Sequence, residues 1–184
     1  MNFIKRNKVA KQRGFSNVQI AIGILVTVIA LLGSIAGYQY VYQAKVNNEL
    51  SELNDLQNST VKYGSVVGTF NSTNVTPAIL AGLNFYPATR VQSDGTTVNN
   101  QWGGTITPAL GTILAVGDSI QYTYTGVTDF ACKEMGTKAD GIAQLISING
   151  TATKTNGTPS DPALVIANCT GTNNNNTIAY TIAK

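Results

Sequence analysis

The chain has 184 residues, room for one ordinary domain or for a domain with an appendage. Charged side chains make up 11% of it, about half the usual share, and histidine is absent, which removes imidazole bases, Ser-His and Cys-His nucleophile pairs and His-ligated metals. Five of the twelve cations (Lys5, Arg6, Lys8, Lys11, Arg13) fall in the first 14 residues, which hold no acid; the rest carries seven cations against nine acids, so no basic stripe is left in the body to suit a nucleic acid.

Residues 15–44 contain no charged side chain, and the apolar part runs from Ile20 to Val41. As a helix that run spans about 33 Å, enough to cross a bilayer core. The cations before it hold residues 1–14 on the cytoplasmic side and leave the remainder facing the other way. Three fates compete for such a segment. It can be a secretory signal peptide cut after Ser34-Ile35-Ala36, releasing a secreted domain. It can be a permanent anchor. Or a leader can be cut on the cytoplasmic side, after Gly14, leaving the apolar run in place.

Lys11-Gln12-Arg13-Gly14-Phe15, followed by the uncharged run, resembles the type IV prepilin signal. The resemblance implies cleavage by a prepilin peptidase between Gly14 and Phe15, and N-methylation of Phe15. It implies a prepilin held in the inner membrane, then drawn by a pilus assembly machinery into an extracellular filament of identical subunits. The family usually has Glu at the fifth mature position. Here that residue is Gln19. An amide is cheaper to bury than a carboxylate, but it brings no charge to pair with a neighbouring subunit's amine.

Beyond the apolar run, Tyr38, Tyr42, Val46, Leu50, Leu53 and Leu56 recur at steps of three or four, with polar residues such as Gln43, Asn47, Glu52 and Asp55 between them. That spacing predicts an amphipathic helix. No proline lies between Phe15 and Thr76, so one helix is expected over 15–67: residues 20–41 for membrane or filament core, the rest for its own domain. Gly33 and Gly37 form a G-x-x-x-G pair, a pattern of close helix packing in lipid and of local helix weakening, and equally a reflection of how common Gly is in membrane helices.

Residues 68–184 are expected to form the globular head. Chain-wide, Asn and Thr number nineteen and twenty-three. Strand-like runs occur at Ser119–Thr125, Ala143–Ile148, Leu164–Ala167 and Thr177–Ile182. Pro77–Leu80 reads as a short helical turn, Lys133–Gln144 as a short helix, and Asn149-Gly150 as a tight turn. In Ser119–Thr125 the alternation puts Tyr122 and Tyr124 on one apolar face, expected to be core or subunit contact. Asn173–Asn176 reads as a flexible loop. Asp118, Asp129, Asp140 and Asp161 are scattered without calcium-loop spacing.

Cys132 and Cys169 are the two cysteines; in an oxidising compartment they should pair, and the alternative is two buried thiols. Asn100-Gln101-Trp102-Gly103-Gly104 is similar to the W-G-G segment of type IVb pilin heads, and the two late cysteines match that subclass. Two glycines let a backbone turn with positive φ or approach another chain closely; Trp102 beside them is expected to lid the core.

The expected fold is therefore α+β, with a long N-terminal helix packed on an antiparallel sheet and a C-terminal disulfide loop. The expected function is a IVb-like pilus subunit for adhesion, aggregation or conjugative mating, with a minor pilin or secretion pseudopilin as the variant that Gln19 favours. Assembly is assigned to Gln19, Gly33 and Gly37, and no catalytic residue, metal or cofactor is expected.

Overall fold

The computed structural model describes residues 17–171 and 175–184, and in residues 17–21 and 28–39 only the backbone. The chain divides into two compact units, residues 1–41 and 42–184. In the first, the described residues are helical, the start of α1 (Asn17–Val67). Ile22, Ile24, Leu25 and Val26 are each more than half exposed there. The Thr27 hydroxyl donates to the Gly23 carbonyl at 2.8 Å, satisfying itself within the helix. Among the described residues no helix is long and apolar enough to cross a membrane; most side chains of the 20–41 run lie outside those described.

In the second unit α1 continues as an amphipathic helix. Val46, Leu53 and Leu56 are buried, with Leu50 and Tyr63 packed partly against the core. Two polar residues share this stripe and are also buried, Glu49 and Thr60. Next come α2 (Pro77–Gly82), β1 (Ile106–Thr112), β2 (Val116–Val127), α3 (Asp129–Lys138), a 3-10 turn at Ala139–Gly141, β3 (Leu145–Ile148), β4 (Thr151–Lys154), α4 (Pro162–Asn168) and β5 (Asn176–Ala183). The five strands form one antiparallel sheet in the order β1-β2-β5-β3-β4. Its central pair aligns Ile120 with Ile182, Tyr122 with Tyr180 and Tyr124 with Ile178, all buried. Period-two alternation thus makes one apolar face, as the strand pattern predicts. Thr60 ties α1 to that face through a 2.7 Å hydrogen bond with the Tyr122 hydroxyl.

Several local expectations change. Leu164–Ala167 is not a strand but most of α4, because Asp161 caps a helix that opens on Pro162. The helix expected over Lys133–Gln144 starts earlier, at Asp129, behind the cap Thr128, and ends at Lys138. Strands β1 and β4 had no counterpart in the expected runs. β1 carries Pro108, which a sheet accepts at its edge, and β1 is an edge strand. Asn149-Gly150 is the turn of the β3–β4 hairpin, with φ of 51° and 85°.

Candidate assembly site

The processing residues Gly14 and Phe15 lie outside the described residues. Gln19, Gly33 and Gly37 fall within the helical backbone of α1, and their side-chain surroundings are likewise outside the described part.

The disulfide is present: Cys132 on α3 is bonded to Cys169, which caps α4, with their Cα atoms 5.7 Å apart. It joins two short helices whose inner residues Ala131, Met135 and Val165 are buried in the same core. Phe130, Leu164 and Ile166 face outward and are exposed. Phe130 meets Tyr42 of α1 edge to face, with centroids 6.2 Å apart.

Three of the four scattered aspartates, Asp118, Asp140 and Asp161, accept from backbone N–H groups, and Asp129 holds a side chain. Asp118 accepts hydrogen bonds from the N–H groups of Ile113, Leu114 and Ala115 at 2.7–3.0 Å, closing the β1–β2 connection. Against its desolvation, those three donors hold its pKa down at about 2. Asp129 accepts from Asn176 Nδ2 at 2.7 Å. Asp140 accepts from the Ser160 N–H at 2.6 Å and pairs with Lys154 Nζ at 3.1 Å, pinning the loop after β4. Its pKa is lowered first by the Ser160 N–H and then by Lys154. Asp161 accepts from the Ala163 and Leu164 N–H groups at 2.8 and 3.3 Å.

Asparagine does similar work. Asn176, expected in a flexible loop, is fully buried. Its Nδ2 also donates to the Val127 carbonyl at 3.1 Å, and its Oδ1 accepts from Gly171 N–H and Asn149 Nδ2 at 2.8 and 2.9 Å. Asn149 Nδ2 reaches the Asn168 carbonyl at 2.7 Å. The polar side of the disulfide loop is thereby tied to the ends of β2, β3 and β5. Residues 173 and 174 of the expected loop lie outside the described residues.

The W-G-G segment is anchored from both sides. Asn100 Nδ2 donates to the Thr125 carbonyl at 2.6 Å, and its Oδ1 accepts from the Trp102 and Gly104 N–H groups at 2.9 and 3.1 Å. Trp102 is half-buried against the core, the lid position expected for it. Gln101 N–H donates 3.2 Å to Glu49 Oε2 on α1. Arg90 grips Glu52 through Nε at 3.1 Å and Nη2 at 2.7 Å, and stands 3.6 Å from Glu49. Glu49 is the residue the sequence reading passed over. Its signal is position: 49 lies three after Val46 and four before Leu53, on the buried stripe.

Among the described residues no three His, Cys, Asp or Glu side chains come together to hold a metal. What the arrangement supplies is a disulfide-closed unit with Phe130, Leu164 and Ile166 exposed on the two bonded helices.

No curated protein matches the sequence. A family model described as PilS N terminal matches residues 43–183. Among solved structures, a type IV b pilin from Salmonella typhi is similar over 75% of this chain and 99% of its own, with a TM-score of 0.59 and 19% identity. TcpA, a type IV pilin from the Vibrio cholerae El Tor biotype, is similar over 76% of this chain and 99% of its own, with a TM-score of 0.54 and 15% identity. At those identities the likeness is one of fold. The chain belongs to the PilS N-terminal family and has the fold of the type IVb pilins.

Proposed function

We propose that the chain is a structural subunit of a type IVb-like pilus, made as a prepilin in the inner membrane and processed after Gly14. The observation that carries this reading is the family match over residues 43–183, joined in one chain to a basic leader and an uncharged run. Phe15 becomes the methylated N-terminus. Residues 20–41 sit in the bilayer before assembly and in the filament core afterwards, since an uncharged aliphatic run has no stable place in water. Gln19, Gly33 and Gly37 set helix register and close packing there, and the head tiles the outside. The work is packing, and the filament serves adhesion, aggregation or mating.

Gln19 in place of the usual Glu favours one variant, a minor subunit or secretion pseudopilin. Counting this subunit along imaged filaments separates it from a major pilin.

N-terminal sequencing and intact-mass measurement of the exported protein test the proposal. The expected result is methylated Phe15. A mature chain beginning at Gly37 would overturn it in favour of a secreted domain, and an unprocessed chain in favour of a permanent anchor.

A further inference from the structure

We propose that Glu49 is a proton-binding site whose occupancy sets how firmly the sheet and the W-G-G loop hold α1. The geometry points to it through a count of charges. Glu49 is fully buried, and Glu52 stands one turn position away. One cation, Arg90, serves both, and it is committed to Glu52 through two hydrogen bonds. For Glu49 it leaves a contact of 3.6 Å to Oε2. Oε2 also takes the Gln101 N–H, while Oε1 has no hydrogen-bond partner.

The groups facing the carboxyl come from each packed element. Glu52 is on α1, and Arg90 and Gln101 are on the segment between α2 and β1. Tyr124 is on β2 and Tyr180 on β5, their rings 5.5 Å apart edge to face. The hydroxyls of Tyr86, Tyr124 and Tyr180 are buried and, like Oε1, without a partner. Lys45, one helical turn before Glu49, lines a recess of about 540 Å³ with Glu52, Arg90 and Gln101, and makes no ion pair with Glu49.

An ionised Glu49 is therefore a buried charge whose cation belongs to another acid, an unfavourable state. A protonated Glu49 is neutral, which removes the uncompensated buried charge and gives the carboxyl an O–H donor of its own. Burial, then Glu52, push its pKa up to about 7 against the pull of Arg90 and the Gln101 N–H. The sign follows from linkage. A carboxyl with a raised folded-state pKa binds its proton more tightly folded than unfolded. Its stabilising contribution is present at low pH, declines as pH rises between the two pKa values, and is constant above about 7.

The absence of histidine makes this window quiet, because no other side chain has its ordinary pKa there. The test is chemical denaturation of the full chain in detergent at several pH values from 5 to 8, alongside Glu49→Gln. The amide keeps an acceptor for the Gln101 N–H and has no proton to lose in this range. For the unaltered chain the unfolding equilibrium constant is expected to rise by about tenfold or more across that range. For Glu49→Gln it is expected to stay nearly flat. A flat profile for the unaltered chain, or the same slope in Glu49→Gln, overturns the proposal. Titration of the Glu49 carboxyl by carbon NMR, which needs no variant, is a second arm: a midpoint near neutrality supports it, and one in the ordinary carboxylate range sinks it.

Discussion

Gly104 occupies a place where no side chain fits. A Cβ there would stand 1.9 Å from the Thr125 carbonyl oxygen and 2.5 Å from its carbon. That same oxygen accepts Asn100 Nδ2, so any shift that makes room also loosens the anchor of the W-G-G segment. Gly103 differs: its φ is +85°, and a Cβ there would meet nothing within 4 Å. Gly103→Ala is expected to cost about 1–2 kcal/mol, the penalty of a left-handed conformation. Gly104→Ala is expected to cost more, about 2–3 kcal/mol, from steric overlap with backbone. Denaturant unfolding of the two variants checks the order, and the reverse order would refute this division of labour. The sequence allowed both roles for the pair, but a contact to residue 125 exists only after the sheet has formed. Glu49 was hidden for a related reason. Among Asn47, Asn48, Ser51 and Glu52 it looks like one more solvated polar residue, and its burial depends on what packs over the helix.

The elements that local pattern identified are those whose pattern is long. The helical half from Tyr42 to Leu56 repeats through several turns, and Ser119–Thr125 and Thr177–Ile182 alternate cleanly, so each lies inside the observed α1, β2 or β5. Leu164–Ala167 is too short for such a test. With Val165 buried between exposed Leu164 and Ile166, three residues satisfy a strand and a helix alike, and only the Asp161–Pro162 start decides. The disulfide was legible because chemistry needed just two cysteines and a compartment. Its energetic weight belongs at this scale too. It staples α3 to α4, the latter being seven residues long and contributing one buried side chain, Val165. Such a helix has little stability of its own. The Cys132→Ser, Cys169→Ser double variant is expected to lose about 3–4 kcal/mol, from freeing the loop between them in the unfolded chain. Denaturant unfolding with and without reductant measures this. The reduced parent should match the variant, and an unchanged midpoint on reduction would count against the stapling role.

At the scale of the whole molecule, two boundaries coincide. The compact unit begins at Tyr42, and the family match begins at residue 43. The solved pilin chains match 75–76% of this chain while using 99% of their own. The second unit also contains every part of its own core: α1 from Val46 onward, all five strands and both cysteines. Its last strand, β5, lies between β2 and β3 in the sheet. The sheet therefore cannot close until nearly the whole unit is present, which favours a single cooperative transition over independent pieces. A chain starting at Tyr42 is then expected to fold alone: soluble, monomeric in size-exclusion chromatography, disulfide-bonded and unfolding in one step. If the chain starting at Phe15 forms filaments as proposed, the shortened chain should form none, because the uncharged run proposed to drive helix burial is gone. Filaments from the shortened chain would place the dominant contacts in the head instead. An aggregated or non-cooperative product would show that residues before Tyr42 are part of the folding unit. The net excess of cations in the full sequence also disappears, since the nine acids and seven remaining cations all lie beyond residue 42. The shortened chain should migrate as a weak acid on isoelectric focusing, the reverse of what the pI of 8.9 for the full sequence suggests.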